Sequence, residues 1–335
     1  MNSLVSQYAL FLAQVVTLVL AVLILVAGLG FVLRRKAKTV AGQIQVTDVN
    51  RQIEAAGDRI RAVQLPREAR KLLHRKRKLE RKSSQKDAEA DSHIYLLNFK
   101  GDLRATGLEA LREEIGAILQ VAKAGDAVFL RLESGGGLVN RYGLAAAQLL
   151  RLRDAHLPLT VMVDAVAASG GYLMAAAADR IVAAPFALIG SIGVVAQIPN
   201  FHRWLEARDI DWEQFTAGKF KRTVTLFGEN TEAGRAKLRD ELEEIHALFR
   251  TFVQGRRAQL DMEKVATGEV WLGSKALELG LVDELATSDE IIRSACERGK
   301  VLHVCLQRKP PLPERLRLSA QAAWDSIWQP PHPLG

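Results

Sequence analysis

From Tyr8 to Leu33 the chain reads YALFLAQVVTLVLAVLILVAGLGFVL, and no residue between Met1 and Leu33 carries a charge. As a helix, these residues would reach roughly 39 Å at about 1.5 Å per residue. A bilayer core is about 30 Å thick, so the run can cross it with tilt to spare. A core helix seldom stays apolar on every face for so long. A cleaved leader needs a basic start and a small-x-small cleavage site. Residues 1–7 contain no Lys or Arg, and Arg34, Arg35, Lys36 and Lys38 follow the run directly. The segment 1–33 therefore reads as a retained single-pass transmembrane anchor.

The charge is as unevenly placed as the apolar residues. The chain carries a formal net charge of +8. Residues 34–86 hold 17 Lys/Arg against 5 Asp/Glu, a net +12, which leaves a net −4 for the rest. The basic excess thus belongs to a juxtamembrane linker, 34–92, densest from Arg70 to Lys82. Each such charge is worth about 1 kcal/mol beside an anionic leaflet, although a solvated linker face is an equal reading. No aromatic residue interleaves that stretch to stack on bases, so nucleic acid is not expected as a partner. Lys and Arg follow the span and none precede it, which puts the downstream part in the cytoplasm by charge bias. Two cysteines make no disulfide framework and match no zinc-ligand spacing, so neither metal nor cofactor is expected.

Beyond residue 92 short β-branched runs alternate with helical segments. His93–Phe99, Ala127–Leu132, Leu159–Val163, Asp179–Ala183 and Leu188–Val194 read as strands. Gly107–Ala122, Val139–Arg153, a helix starting near Ser169, and Glu229–Gln259 read as helices. That alternation predicts an α/β domain, 93–305, with a mainly parallel sheet. The apolar stretch 181–199 is broken by Pro185, Gly190 and Gly193, which argues against a second span. The amphipathic Glu229–Gln259 reads as surface packing or an oligomer contact. A Pro-rich basic tail, 306–335, carries Trp324 and Trp328.

The stretch that can carry chemistry is Asp164–Tyr172, DAVAASGGY. Ser169 falls between a strand and a helix, where free N–H groups and the positive end of the helix dipole lie. Such a serine is either a nucleophile or an N-cap. A nucleophile needs a base. His202, with Asp209 or Asp211, offers one arrangement. A desolvated lysine offers another, and Thr216–Arg222, TAGKFKR, supplies Lys219 and Lys221. Phe215, Phe220 and Leu226 are apolar material near them.

Several motifs in order resemble the SppA-like (signal peptide peptidase) serine peptidases, and more narrowly the SohB branch. They are Leu132–Gly137 (LESGGG), Ala168–Tyr172 (ASGGY), Ile189–Val194 (IGSIGV), Gly218–Lys221 (GKFK), and Gly268–Gly273 (GEVWLG) through Gly280–Asp283 (GLVD). The likeness runs from about Leu96 to Leu285. It implies a Clp/crotonase-like fold of repeated ββα units behind an N-terminal transmembrane helix. It implies a membrane-anchored serine endopeptidase that cleaves unfolded or membrane-released peptides. Ser169 then matches the nucleophile and Lys221 the base of a Ser/Lys dyad, with the backbone N–H groups of Gly137 and Gly170 as the oxyanion hole. Ser191 matches a serine able to support the lysine, or is a turn residue. Gly135 departs from the family's proline. The resemblance also implies a homo-oligomer at the bacterial inner membrane with the catalytic domain on the outer face, opposite to the charge bias. The rivals are a Clp-like Ser/His/Asp peptidase through His202 and an inactive membrane scaffold of the same fold.

Overall fold

The computed structural model describes residues 10–21, 23–24, 42–66, 69 and 92–307. Residues 44–306 form one compact unit. A second unit takes in 1–43 and 307–335, and within it residues 10–21, 23 and 24 are helical. The remainder of the apolar run, the basic stretch 70–82 and the tail from 308 lie outside the described residues. No helix among the described residues is long and apolar enough to cross a membrane.

In chain order the elements are β1 (Gln43–Asp48), α1 (Val49–Gln64), β2 (His93–Gly101), α2 (Leu108–Val121), β3 (Ala127–Ser134), α3 (Val139–Asp154), β4 (Leu159–Val163), β5 (Val166–Ala168), α4 (Gly170–Ala175), β6 (Arg180–Ala183), β7 (Leu188–Gly190), α5 (His202–Glu206), α6 (Glu232–Gln254), α7 (Met262–Val265), β8 (Val270–Leu272), α8 (Gly273–Glu278), β9 (Glu284–Leu285), α9 (Ser288–Arg298) and β10 (Lys300–Gln307). They build a mixed α/β fold around one sheet, ordered β1-β10-β2-β3-β4-β6-β9. The pairs β10–β2, β2–β3, β3–β4, β4–β6 and β6–β9 are all parallel.

Parallel strands are covered on both faces, so their runs are apolar almost throughout, and successive residues feed opposite layers. Leu97, Leu130 and Val161 pack with Leu111, Ile115 and Ile118 of α2 and Leu149 of α3. Leu96, Phe129 and Met162 face the other way, onto Ile291, Ile292 and Ala295 of α9.

Three element readings need correction. Residues 43–64, read from sequence as basic linker, form β1 and α1. Asn50 of α1 donates to the carbonyls of Cys296 and Gly299, both at 2.9 Å, and accepts from Val301 N–H at 2.9 Å. The high charge of the segment masked a helix held by one polar side chain and the buried Val49. The strand expected over 188–194 stops at Gly190, because Ser191 turns to φ 52°. The helix expected over 229–259 is shorter at both ends, 232–254, starting on the Thr231 cap, whose hydroxyl accepts from Gly234 N–H.

The motif 280–283 has a structural role. Asp283 accepts two bonds from Arg257, each 2.8 Å, and one from Ile181 N–H at 2.7 Å, while Arg257 also donates to the Gly280 carbonyl. Arg257 is 4% exposed. Arg257→Ala removes a buried guanidinium that ties the part-exposed Asp283 carboxylate to the Gly280 turn. It is expected to lower stability by about 2 kcal/mol through the lost charged hydrogen bonds, read as a lower urea midpoint at unchanged slope.

Candidate active site

The sheet splits beyond β4, and the split builds the site. At its C-terminal end β3 leaves β4 and pairs Ser134 with Ala167 of β5. Strand β5 pairs in parallel with β7, and β7 pairs antiparallel with β8. The glycine-rich loop after β3 and the Ser169 turn after β5 therefore emerge side by side. In parallel α/β sheets such a divergence of strand ends is where ligands bind.

Ser169 is half-buried between β5 and α4, at φ 51° and ψ −121°. A non-glycine residue in such a region costs about 1–3 kcal/mol and persists only where its surroundings enforce it. Here they do. Ser169 N–H donates to the Gly190 carbonyl at 2.8 Å, and the Ser169 carbonyl accepts from Leu173 N–H at 3.0 Å. Its side chain caps no helical N–H, so the N-cap role is not the one the hydroxyl plays.

The glycine loop lies directly against this turn. A Cβ added to Gly136 (φ 88°) would sit 2.7 Å from Gly170 N and 2.8 Å from Ser169 Cβ. Gly136 N–H donates to Ser134 Oγ at 3.1 Å and Leu138 N–H to the Leu103 carbonyl at 2.9 Å. Gly137 N–H, between them, has no acceptor among the described residues. Gly170 opens α4, where the first N–H groups lack intrahelical partners.

Beside Ser169 is an apolar pocket of about 220 Å³, lined by Val139, Gly143, Leu173 and, from α6, Ile245, Phe249 and Phe252. The sequence reading assigned the apolar face of α6 to packing or oligomer contact and missed this lining. The i, i+4, i+7 spacing of Ile245, Phe249 and Phe252 was visible, but not what it faced. A larger cleft of about 800 Å³, around Arg153, His156, Asp179 and Arg256, lies away from the serine and shares no residue with this pocket.

The other site residues named from sequence are not joined to Ser169. Lys221 is exposed on the irregular segment after α5. Its N–H donates to the Gly218 carbonyl at 3.1 Å, and among the described residues no hydrogen bond or ion pair links its ammonium to Ser169 or Ser191. Lys219 lies 5.1 Å from the centre of the Phe220 ring. Phe215, Phe220 and Leu226 are exposed, Phe215 at 89%, so they do not enclose the lysines as expected. Ser191 N–H donates to the Glu269 carbonyl at 2.6 Å. His202 sits at the start of α5, with no ring contact to Ser169, Asp209 or Asp211 among the described residues.

This arrangement can hold a serine hydroxyl beside a carbonyl carbon, with backbone donors and an apolar side-chain pocket around it. The class it defines is a serine hydrolase. Family models agree: the description "Peptidase family S49 N-terminal" matches residues 3–149 and "Peptidase family S49" matches 151–302. A probable protease SohB of Haemophilus influenzae is 45% identical over 333 residues, covering 96% of this chain and 94% of that protein. One from Buchnera aphidicola subsp. Schlechtendalia chinensis is 41% identical over 302 residues, 87% of this chain and 99% of its own. Protease 4 of Salmonella typhi is 30% identical over 177 residues, 52% of this chain but 28% of its own. A solved membrane-bound stomatin-specific protease superposes with a TM-score of 0.41 at 15% identity, over 61% of this chain and 84% of its own. This chain belongs to peptidase family S49, a family of serine peptidases, and is a peptide-bond hydrolase.

Proposed function

We propose that the chain is a membrane-anchored serine endopeptidase, with Ser169 as nucleophile and Lys221 as base, that cuts extended apolar stretches of unfolded or membrane-released peptides. The observation that carries this reading is the Ser169 turn itself. A serine held at φ 51°, with Gly137 and Gly170 lining the same apolar pocket, has the setting of an acyl-transfer nucleophile and lacks only its base.

The Lys221 amine accepts the hydroxyl proton as Oγ attacks the peptide carbonyl. The carbonyl electrons move to oxygen, and Gly137 and Gly170 N–H donate to that oxyanion. The ammonium of Lys221 then gives its proton to the amide nitrogen, the C–N bond breaks, and the amine product leaves. Water, deprotonated by the same lysine, attacks the acyl-enzyme; the acyl C–Oγ bond then breaks and the lysine returns that proton to Oγ, freeing Ser169 and the acid product. The ψ-turned serine between β5 and α4, and the sequence β4–β5–α4, support the Clp/crotonase-type reading with its ββα units.

A lysine is neutral near pH 7 only where charge is poorly solvated, and a base acts from within about 3 Å. Lys221 therefore acts from a closed state in which its segment is covered. The exposed Trp204, Trp212, Phe215 and Phe220 around it support a homo-oligomer in which a second copy covers them. The uncharged run 8–33 and the basic residues after it support anchoring in the bacterial inner membrane.

The test is a fluorophosphonate probe on the purified full chain. Casein cleavage together with label on Ser169 is expected. Casein cleavage with the label elsewhere, or with none, rejects the assignment. The pocket gives a second expected result. A Cβ at Gly143 meets nothing within 4 Å, so Gly143→Leu fills the pocket without disturbing α3. KM for peptides with a large apolar residue before the cut should rise about ten-fold, while peptides with alanine there are spared. Equal effects on both would show that the pocket does not receive that side chain.

A further inference from the structure

One hydrogen-bonded chain behind the glycine loop has a direction that chemistry dictates. Tyr142, on α3, is fully buried, and its hydroxyl lies 2.8 Å from the Asp102 carbonyl and 2.6 Å from Ser134 Oγ. A carbonyl only accepts, so the single phenolic hydrogen is donated to Asp102. The Ser134 hydroxyl must then donate to Tyr142. The remaining capacity of Ser134 Oγ accepts Gly136 N–H at 3.1 Å. Every member is satisfied, and the order runs from Gly136 through Ser134 and Tyr142 to Asp102. Bonds in such a chain reinforce one another.

The ring of the same tyrosine supports the other half of the site. A Cβ on Gly170 would lie 2.4 Å from Tyr142 Cγ, so the backbone of Gly170 rests on the Tyr142 side chain. Phe99 meets the ring edge-on at 6.5 Å and holds it in place. Tyr142 thus touches both emerging segments, by its oxygen on the loop side and by its ring on the turn side. The chain also turns Gly136 N–H back into the protein, which leaves Gly137 N–H as the free donor of that loop.

We propose that Tyr142, through Ser134, is a positioning residue for the peptidase reaction: it sets the glycine loop against the Ser169 turn so that the N–H groups of Gly137 and Gly170 converge on one oxygen. This rests on the oxyanion-hole reading above. Tyr142 touches no reacting atom and works by fixing where the donors point.

The experiment uses the full chain in detergent, with a fluorogenic apolar peptide and a peptide aldehyde of matching sequence. The aldehyde forms a tetrahedral adduct on serine and so reports the hole directly. Tyr142→Phe keeps the ring and deletes the oxygen. It is expected to lower kcat about ten-fold or more and to weaken the aldehyde by the same factor, with KM unchanged. Ser134→Ala deletes the other hydroxyl of the same chain and should act in the same way, which covers the case that Tyr142→Phe folds poorly. Because the residues act as one unit, the double variant should be no worse than the poorer single variant. Wild-type kcat and aldehyde affinity in both folded single variants would overturn the positioning role. So would losses that multiply in the double variant, or that follow melting temperature with KM. Turnover retained by Ser169→Ala is a different failure, because it would remove the serine reading itself.

Discussion

Ser169→Ala is expected to leave no measurable peptide cleavage, and Lys221→Ala the same. Removing a serine nucleophile or its base costs on the order of 10⁵–10⁶ in kcat. The backbone donors and the pocket remain, so binding should persist and KM should hold where residual turnover allows its measurement. Lys221→Arg is a sharper probe than alanine. It keeps the positive charge and most of the side-chain length, but a guanidinium does not give up its proton in proteins and so is no base. Arginine should therefore fail as completely as alanine. Neither lysine variant should lose fold stability, because Lys221 is exposed and holds nothing in the core. Wild-type turnover in a folded Lys221→Ala protein would end the dyad reading, and His202→Ala would then test the histidine alternative.

The second large effect is expected at Gly136, beside a control at Gly135. In Gly136→Ala the methyl group would lie 2.7 Å from Gly170 N, 2.8 Å from Ser169 Cβ and 2.9 Å from the Ala168 carbonyl oxygen, at a backbone φ of 88°. Two of those atoms belong to backbone and the third to the base of the Ser169 side chain, so none can swing aside. The loop must retreat, and Gly137 N–H retreats with it. Loss of one well-aimed donor costs about 10²–10³ in kcat, and the Gly136→Ala protein should show a loss of that size. Gly135→Ala is the matched case, because a Cβ there meets nothing within 4 Å and its φ is ordinary. It should change stability by less than about 0.5 kcal/mol and leave turnover near wild type. Equal turnover in the two variants would show that the loop does not need to approach the Ser169 turn so closely.

Most elements could be read directly from the chain. The period of Leu108, Leu111, Ile115 and Ile118 announced α2, and the β-branched run 159–163 announced β4, because burial on one face or both leaves its period in the sequence. The linker reading failed over 43–64 for the opposite reason. Val49 is the one buried residue of α1, too little apolar surface to stand out among its charges, and Asn50 fastens it by polar bonds that have no period.

Among the proposed site residues, Ser169 stands out in the sequence because a serine followed by two glycines at a strand–helix junction is a local pattern. Tyr142 and Ser134 were not singled out for any role, since a tyrosine in an amphipathic helix and a serine at a strand end are both ordinary. Only the approach of Asp102, forty residues from Tyr142, gives the phenol its direction. The phenylalanines of α6 were legible as an apolar face but not as the wall of a pocket.

The chain by itself determined the uncharged run 8–33, the parallel α/β alternation, and the serine set between a strand and a small-residue helix. Each follows from short-range chemistry: which side chains avoid water, and which backbones bend. Tertiary structure alone decided that Ser134 pairs with Ala167, that the glycine loop therefore lies on the Ser169 turn, and that Lys221 stays exposed within one chain. Pairing between segments some thirty residues apart depends on the register of the whole sheet, and no local pattern encodes that register.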